Sequence, residues 1–145
     1  MRSPTLATVA IVVAFGAGLA IPRASSKVTY FPAAQVSASF DKGAVLLNNG
    51  SYQVHTSRRE TPGQVEVHGK DTDIIYMLAG STTFVTGGTM IGGKTTAPDE
   101  IRGSNIDGGE TRTLTKGDVM VVPSGTPHWF KEVAGPVLYY VVKVQ

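Results

Sequence analysis

The chain has no cysteine among its 145 residues. That excludes a disulfide framework and a lipid anchor on a cysteine after a leader, and the composition marks no oxidising compartment. Charge of one sign is equally scarce. Thirteen Lys and Arg against eleven Asp and Glu leave a formal charge of +2. No basic run interleaves with aromatics, which argues against nucleic acid as a partner. There is no internal repeat of the solenoid or propeller kind. The pairs Gly87-Gly88 and Gly92-Gly93 read as turns, not as a phosphate-cradling loop that opens a helix. Glycine (17), proline (8) and many Val, Ile, Thr and Tyr are what the chain does have, the composition of short strands joined by tight turns. At this length one domain with a respectable core is expected, and two are not.

One apolar run stands apart, from Leu6 to about Ile21. It follows Arg2 and closes on Gly18-Leu19-Ala20, a small-x-small pattern, which is the anatomy of a secretory signal peptide. The run is short for a bilayer span and Thr8 interrupts it, so an uncleaved anchor is the weaker reading. Residues 1–20 are read as the leader, 21–27 as a linker and 28–145 as the mature domain, exported to the periplasm or the cell exterior with no membrane span retained. Removing the leader takes Arg2 away and leaves a formal charge of about +1.

After the linker the pattern predicts a brief strand at Val28 to Tyr30. Pro32, then Ala33, Val36 and Phe40 at helical spacing, predict a short helix that ends at Gly43 and covers one apolar face of a sheet. From there the periodicity is that of strands. Asn49-Gly50 marks a hairpin between Val45–Asn48 and Tyr52–Arg58. Asn49-Gly50-Ser51 also matches a glycosylation acceptor, but the turn is the stronger reading. Further strands are expected near 64–68, 73–78, 82–85, 89–91, 110–114, 118–122, 129–133 and 137–144. Between Lys94 and Gly109 lies a polar stretch read as one long loop, a lid or a mobile segment. About ten short strands with almost no helix predict an all-β sandwich or closed barrel.

Two stretches carry the chemistry. Along Gln64 to His68, parity separates Val65 and Val67 from Gln64, Glu66 and His68. Ordinary alternation puts the valines inward and the polar set in water. The wider pattern changes that reading: Glu66-x-His68, four residues, Asp73, six residues, Gly80, and then Gly117, five residues, Pro123-x-Gly125, two residues, His128, three residues, Glu132. This pair of motifs resembles the cupin superfamily, whose small barrels build one metal site from His-x-His with a following Glu and Gly and from a second motif ending in His and Asn. The resemblance covers roughly Gln64 to Val133 and implies a cupin-type jelly-roll β-barrel with a short N-terminal helix. Glu66 stands where the family usually has its first metal histidine, Asp73 replaces the usual Glu, and Glu132 replaces the last Asn.

The resemblance implies a metal site of Glu66, His68, Asp73 and His128. Two imidazoles with carboxylates suit Fe, Mn or Zn, and the extra anion in place of a histidine favours Mn or Fe over Cu. Other residues carry weaker signals. Arg102 and Tyr76 are read as substrate-binding, although a tyrosine more often braces a core. His55 reads as a strand-surface histidine. Arg58 and Arg59 read as a solvated strand end, with one of them able to hold an anionic substrate at the barrel mouth. Trp129 and Phe130 read as wall. The function that follows is an exported metal-dependent cupin enzyme of the dioxygenase, isomerase or lyase type, acting on a small polar molecule. The alternatives are a non-catalytic module that binds a small molecule or a metal, and a barrel kept for its dimer surface, with 137–144 as the pairing edge of a homodimer.

Overall fold

The computed structural model describes residues 27–145. The leader and nearly all of the linker predicted over 1–27 lie outside them. The helix α1 spans Ala33–Ser39, with Pro32 at its cap. The strands are β1 (Ala44–Asn48), β2 (Tyr52–Arg59), β3 (Val65–His68), β4 (Thr72–Ala79), β5 (Ser81–Thr86), β6 (Thr89–Ile91) and β7 (Lys94–Ala97), followed by β8 (Glu100–Gly103), β9 (Asn105–Asp107), β10 (Glu110–Thr115), β11 (Val119–Val122), β12 (His128–Val133) and β13 (Val137–Val144). They form a five-stranded sheet in the order β1-β2-β13-β4-β11 and a six-stranded sheet in the order β10-β5-β12-β3-β8-β7. Both are antiparallel, as expected of a jelly roll. A separate ribbon joins β6 to β9.

The inward faces follow the two-residue period. Ile75 and Met77 on β4 meet Val137, Tyr139 and Val141 on β13, with Phe84, Leu114, Val122 and Phe130 completing one core. Phe130 stacks on Tyr139 with centroids 4.8 Å apart, and Phe84 meets Phe130 edge-on at 4.7 Å. A second, smaller core lies on the other face of the six-stranded sheet. There Val65, Val85 and Ile106 pack together, with Met90 and Trp129 against them. Met90 is on β6 and Ile106 on β9, so the ribbon is the cover that lets the outward-facing Val65 be fully buried.

Four expectations are corrected. Residues 28–30 are not a strand, and Val28 and Tyr30 are largely exposed. The stretch 94–109 is not a loop, because it contains β7, β8 and β9. In β8 both residues facing the barrel interior, Glu100 and Arg102, are charged, so the strand has no apolar alternation to read. Strand β13 is hydrogen-bonded on both sides, to β2 and to β4; it is the middle of its sheet and offers no pairing edge. Helix α1 buries none of its residues fully. Its end is anchored instead by Phe40, whose ring meets that of Tyr140 edge-on at 5.3 Å.

The last glycine of the first motif has a backbone reason. Gly80 has φ +81 where the chain passes from β4 in one sheet to β5 in the other, and a Cβ there would run into the Pro136 carbonyl oxygen. Gly117 also has positive φ, +95, but a Cβ would meet nothing within 4 Å. Gly117→Ala should therefore cost about 1–2 kcal/mol for the left-handed backbone alone. Gly80→Ala should cost distinctly more, about 3 kcal/mol or above, because the Pro136 segment must also move. Urea denaturation of both variants checks this, and equal losses would contradict the close packing at Gly80.

Candidate metal centre

The inward face of β3 carries Glu66 and His68, and the next strand, β12, brings His128 directly opposite Glu66. Strand β4 supplies Asp73 from the facing sheet. The two motifs are tied together by backbone: the Gly125 N–H donates to the His68 carbonyl at 2.8 Å. Glu66, His68 and His128 offer ligand atoms that all lie within 4.8 Å of one another, a grouping that can hold a metal ion. Glu66 Oε2 is 3.6 Å from His68 Nε2 and 3.8 Å from His128 Nε2. Asp73 Oδ2 is 3.4 Å and 3.9 Å from the same two nitrogens.

The ring nitrogens are oriented for ligation. His68 Nδ1 lies 2.6 Å from Glu100 Oε1, and His128 Nδ1 lies 3.0 Å from the Thr126 carbonyl oxygen. Both partners are pure acceptors when the carboxyl is ionised, so in its neutral form each ring carries its proton on Nδ1 and turns the lone pair of Nε2 inward. Ligand atoms about 2.1 Å from one ion sit roughly 3.0–3.4 Å apart. Of the four carboxylate–imidazole spacings, 3.4 Å falls within that range, and 3.6, 3.8 and 3.9 Å exceed it by up to about half an ångström. The donor set fits a divalent ion after a small contraction.

The carboxylates are held in place by cations. Arg102 bonds to Glu66 Oε1, which leaves Oε2 facing the imidazoles, and its other end reaches Glu100 Oε2 at 3.3 Å. Lys143 Nζ donates to Asp73 Oδ1 at 2.7 Å, which leaves Oδ2 for the centre. Burial alone would raise the pKa of both Glu66 and Asp73. Arg102 outweighs burial at Glu66, and His68 with Lys143 outweigh it at Asp73, so both carboxyls titrate below their ordinary values. His128 is pushed down by burial and stays neutral. Burial also opposes charge on His68, but the hydrogen bond and charge of Asp73, with Glu100 adding, raise it above the ordinary histidine value.

These residues line a cavity of about 380 Å³ together with His55, Ser57, Arg59, Thr96, Ala97, Phe130, Tyr139 and Val141. Arg102 lines it, yet its guanidinium is already taken up by Glu66 and Glu100. Tyr76 lies outside: it alternates with the inward Ile75 and Met77, is 44 % exposed and pairs across strands with Val119 and Tyr140. That position contradicts a substrate-binding role in the cavity. His55 is inside the barrel rather than on its surface; its Nε2 is bonded to Gln53 Oε1 at 3.0 Å and its pKa is lowered by burial. Glu132 accepts from Thr83 Oγ1 at 2.8 Å, at an exposed position away from the histidines. Trp129 turns to the second core and donates to the Gly63 carbonyl oxygen at 2.6 Å, while Phe130 is a cavity wall. Two residues of the site carried no signal in the sequence, Glu100 and Lys143. A larger groove of about 850 Å³ between β10 and β11 contains no histidine.

The balance at His68 gives a signed prediction for the metal-free protein. Its raised pKa adds stability that is fully present below the ordinary histidine value and is lost as pH rises through the raised value. In Asp73→Asn burial wins, so His68 should titrate below the ordinary value and that contribution should vanish. A ring-nitrogen NMR titration reads this directly, and an unchanged His68 titration in the variant would refute the assignment of Asp73.

Residues 37–145, well over half of the chain, match the cupin family. No curated protein matches the sequence significantly. Among solved structures, an uncharacterised protein with a double-stranded β-helix domain from Klebsiella pneumoniae aligns with TM-score 0.56 at 13 % identity over 81 % of this chain and 90 % of its own. DMSP lyase DddQ from Ruegeria pomeroyi aligns with TM-score 0.52 at 19 % identity over 72 % of this chain and 46 % of its own, so this chain spans less than half of the lyase. Hydroquinone 1,2-dioxygenase from Sphingomonas sp. TTNP3 aligns with TM-score 0.50 at 12 % identity over 70 % of this chain and 64 % of its own. At these identities the likeness is one of fold. The family match over residues 37–145 and the jelly-roll architecture lead to one conclusion: the chain belongs to the cupin family.

Proposed function

We propose that this cupin is a metal-dependent enzyme acting on a small polar molecule, with Glu66, His68 and His128 holding a divalent Mn, Fe or Zn ion and Asp73 as the fourth donor. The observation that carries the reading is the pair of Nε2 atoms turned inward by Glu100 and the Thr126 carbonyl, beside the free oxygens of Glu66 and Asp73. A bound ion would supply Lewis-acid polarisation of a substrate oxygen or a site for dioxygen. The chain's own residues do the rest. Arg102 and Lys143 fix the carboxylates, and Phe130, Tyr139 and Val141 keep water from one side of the cavity. His55, neutral through burial, is free of the donor set and placed to accept or donate a proton within the cavity. The reaction classes that suit such a site are dioxygenase, isomerase and lyase; two fold relatives, a dioxygenase and a lyase, support that range. Export through the leader at residues 1–20 belongs to the same reading.

A second reading has its own observation. No buried side-chain nitrogen or oxygen among the described residues lacks a partner. Because Arg102 and Lys143 satisfy the carboxylates without an ion, the barrel can also serve as a metal-free binder. Metal analysis of the untagged mature protein separates the two. The enzyme reading expects about one equivalent of Mn, Fe or Zn per chain, set by the one such cluster among the described residues, and its loss in both His68→Ala and His128→Ala. A folded wild-type protein that stays empty after incubation with all three metals would leave the binder.

A further inference from the structure

We propose that Arg59 is the anchor for a carboxylate group on the cavity's ligand. The proposal rests on the reading of the cavity as a small-molecule site and names the substrate class, a small organic acid. Three cationic side chains line the cavity, Arg59, Arg102 and Lys143. Arg102 is paired with Glu66 and Glu100, and Lys143 with Asp73. Among the described residues no carboxylate pairs with Arg59. Its neighbour Arg58 points the other way along the strand and is tied to Glu60 at 2.6 Å on the surface. Of the two adjacent arginines, only one faces the cavity, and its charge is uncompensated.

The guanidinium is also held in position. Its carbon sits 4.7 Å from the centroid of the Phe130 ring, a cation–π contact. Nε faces the Tyr139 hydroxyl at 3.4 Å. It also lies against Gly63, where a Cβ would come within 2.7 Å of Nη1. Gly63 is itself fixed, with its N–H donating to the Phe130 carbonyl at 2.9 Å and its carbonyl accepting from Trp129 Nε1 at 2.6 Å. A planar fork in contact with an aromatic ring and a glycine loses little freedom on binding, and it keeps donors for an oxyanion. Carboxylate geometry matches such a fork with two parallel hydrogen bonds. Phe130 and Tyr139 beside it supply an apolar wall for the acid's carbon skeleton.

The test is isothermal titration of the untagged mature protein with acetate, succinate and benzoate, and with benzamide as the uncharged counterpart of benzoate. Metal content is measured on the same samples. The expected result is binding of at least one carboxylate, none of benzamide, and a roughly ten- to hundredfold loss of affinity in Arg59→Gln. Arg59→Lys keeps the charge but not the fork and should fall between, which also covers the case of a poorly folded Arg59→Gln. Arg58→Gln should bind as wild type does. Carboxylate binding undiminished in both Arg59 variants, equal affinity for benzamide, or no affinity for any of the three acids would overturn the proposal. A protein that binds metal but no acid sinks the carboxylate anchor alone. One that binds acid through Arg59 without metal upholds the anchor and sinks the metal reading.

Discussion

The site is organised around two imidazoles that meet inside a β-barrel, with ring centroids 5.0 Å apart and carboxylates around them. Each ring is fixed by what its outer nitrogen meets: Glu100 for His68 and the Thr126 carbonyl for His128. Each carboxylate then needs a cation, because an unpaired buried charge costs several kcal/mol. Arg102 serves Glu66 and Glu100, and Lys143 serves Asp73. Removal of one member leaves another without its partner, so the cluster behaves as a network rather than as separate residues.

The barrel solves the conflict between a polar site and an apolar core along the length of each strand. On β4 the inward series runs Asp73, Ile75, Met77, and on β13 it runs Lys143, Val141, Tyr139, Val137. On β12 it passes from His128 to Phe130. One end of the interior is therefore a charged cavity and the other is packed hydrocarbon. The same strand that gives its inward face to Glu66 and His68 recovers apolar burial on its outward face, where Val65 is sealed under the β6–β9 ribbon. That inversion is why the ordinary rule of valines inward fails for β3.

Much of this was legible from residue order. The resemblance of the two motifs to the cupin pattern implied Glu66, His68, Asp73 and His128, and the structure brings all four to one cavity. Alternating or apolar strands such as β2, β4 and β13 were readable within a residue or two. Strands β7 to β9 were not, because β8 faces a polar cavity with Glu100 and Arg102 and so lacks the apolar period that sequence reading relies on. Glu100 became visible as a partner only once β8 was seen to pair with β3 in the register His68 to Glu100. Lys143 lies in an apolar terminal strand and carried no signal of its own; it is the counter-charge of Asp73 across 70 residues of chain. Tyr76 was misplaced by one step of parity, which on a strand moves a side chain from the cavity to the outside.

On the proposed reading the inward Nε2 atoms and Glu66 form one metal centre. Anomalous diffraction from crystals of the mature protein grown with Mn(II) tests it most directly. One strong peak is expected inside the barrel, roughly 2.0–2.3 Å from Nε2 of His68, Nε2 of His128 and a carboxylate oxygen of Glu66. Manganese found only at surface carboxylates, with none between the two imidazoles and Glu66, would contradict it.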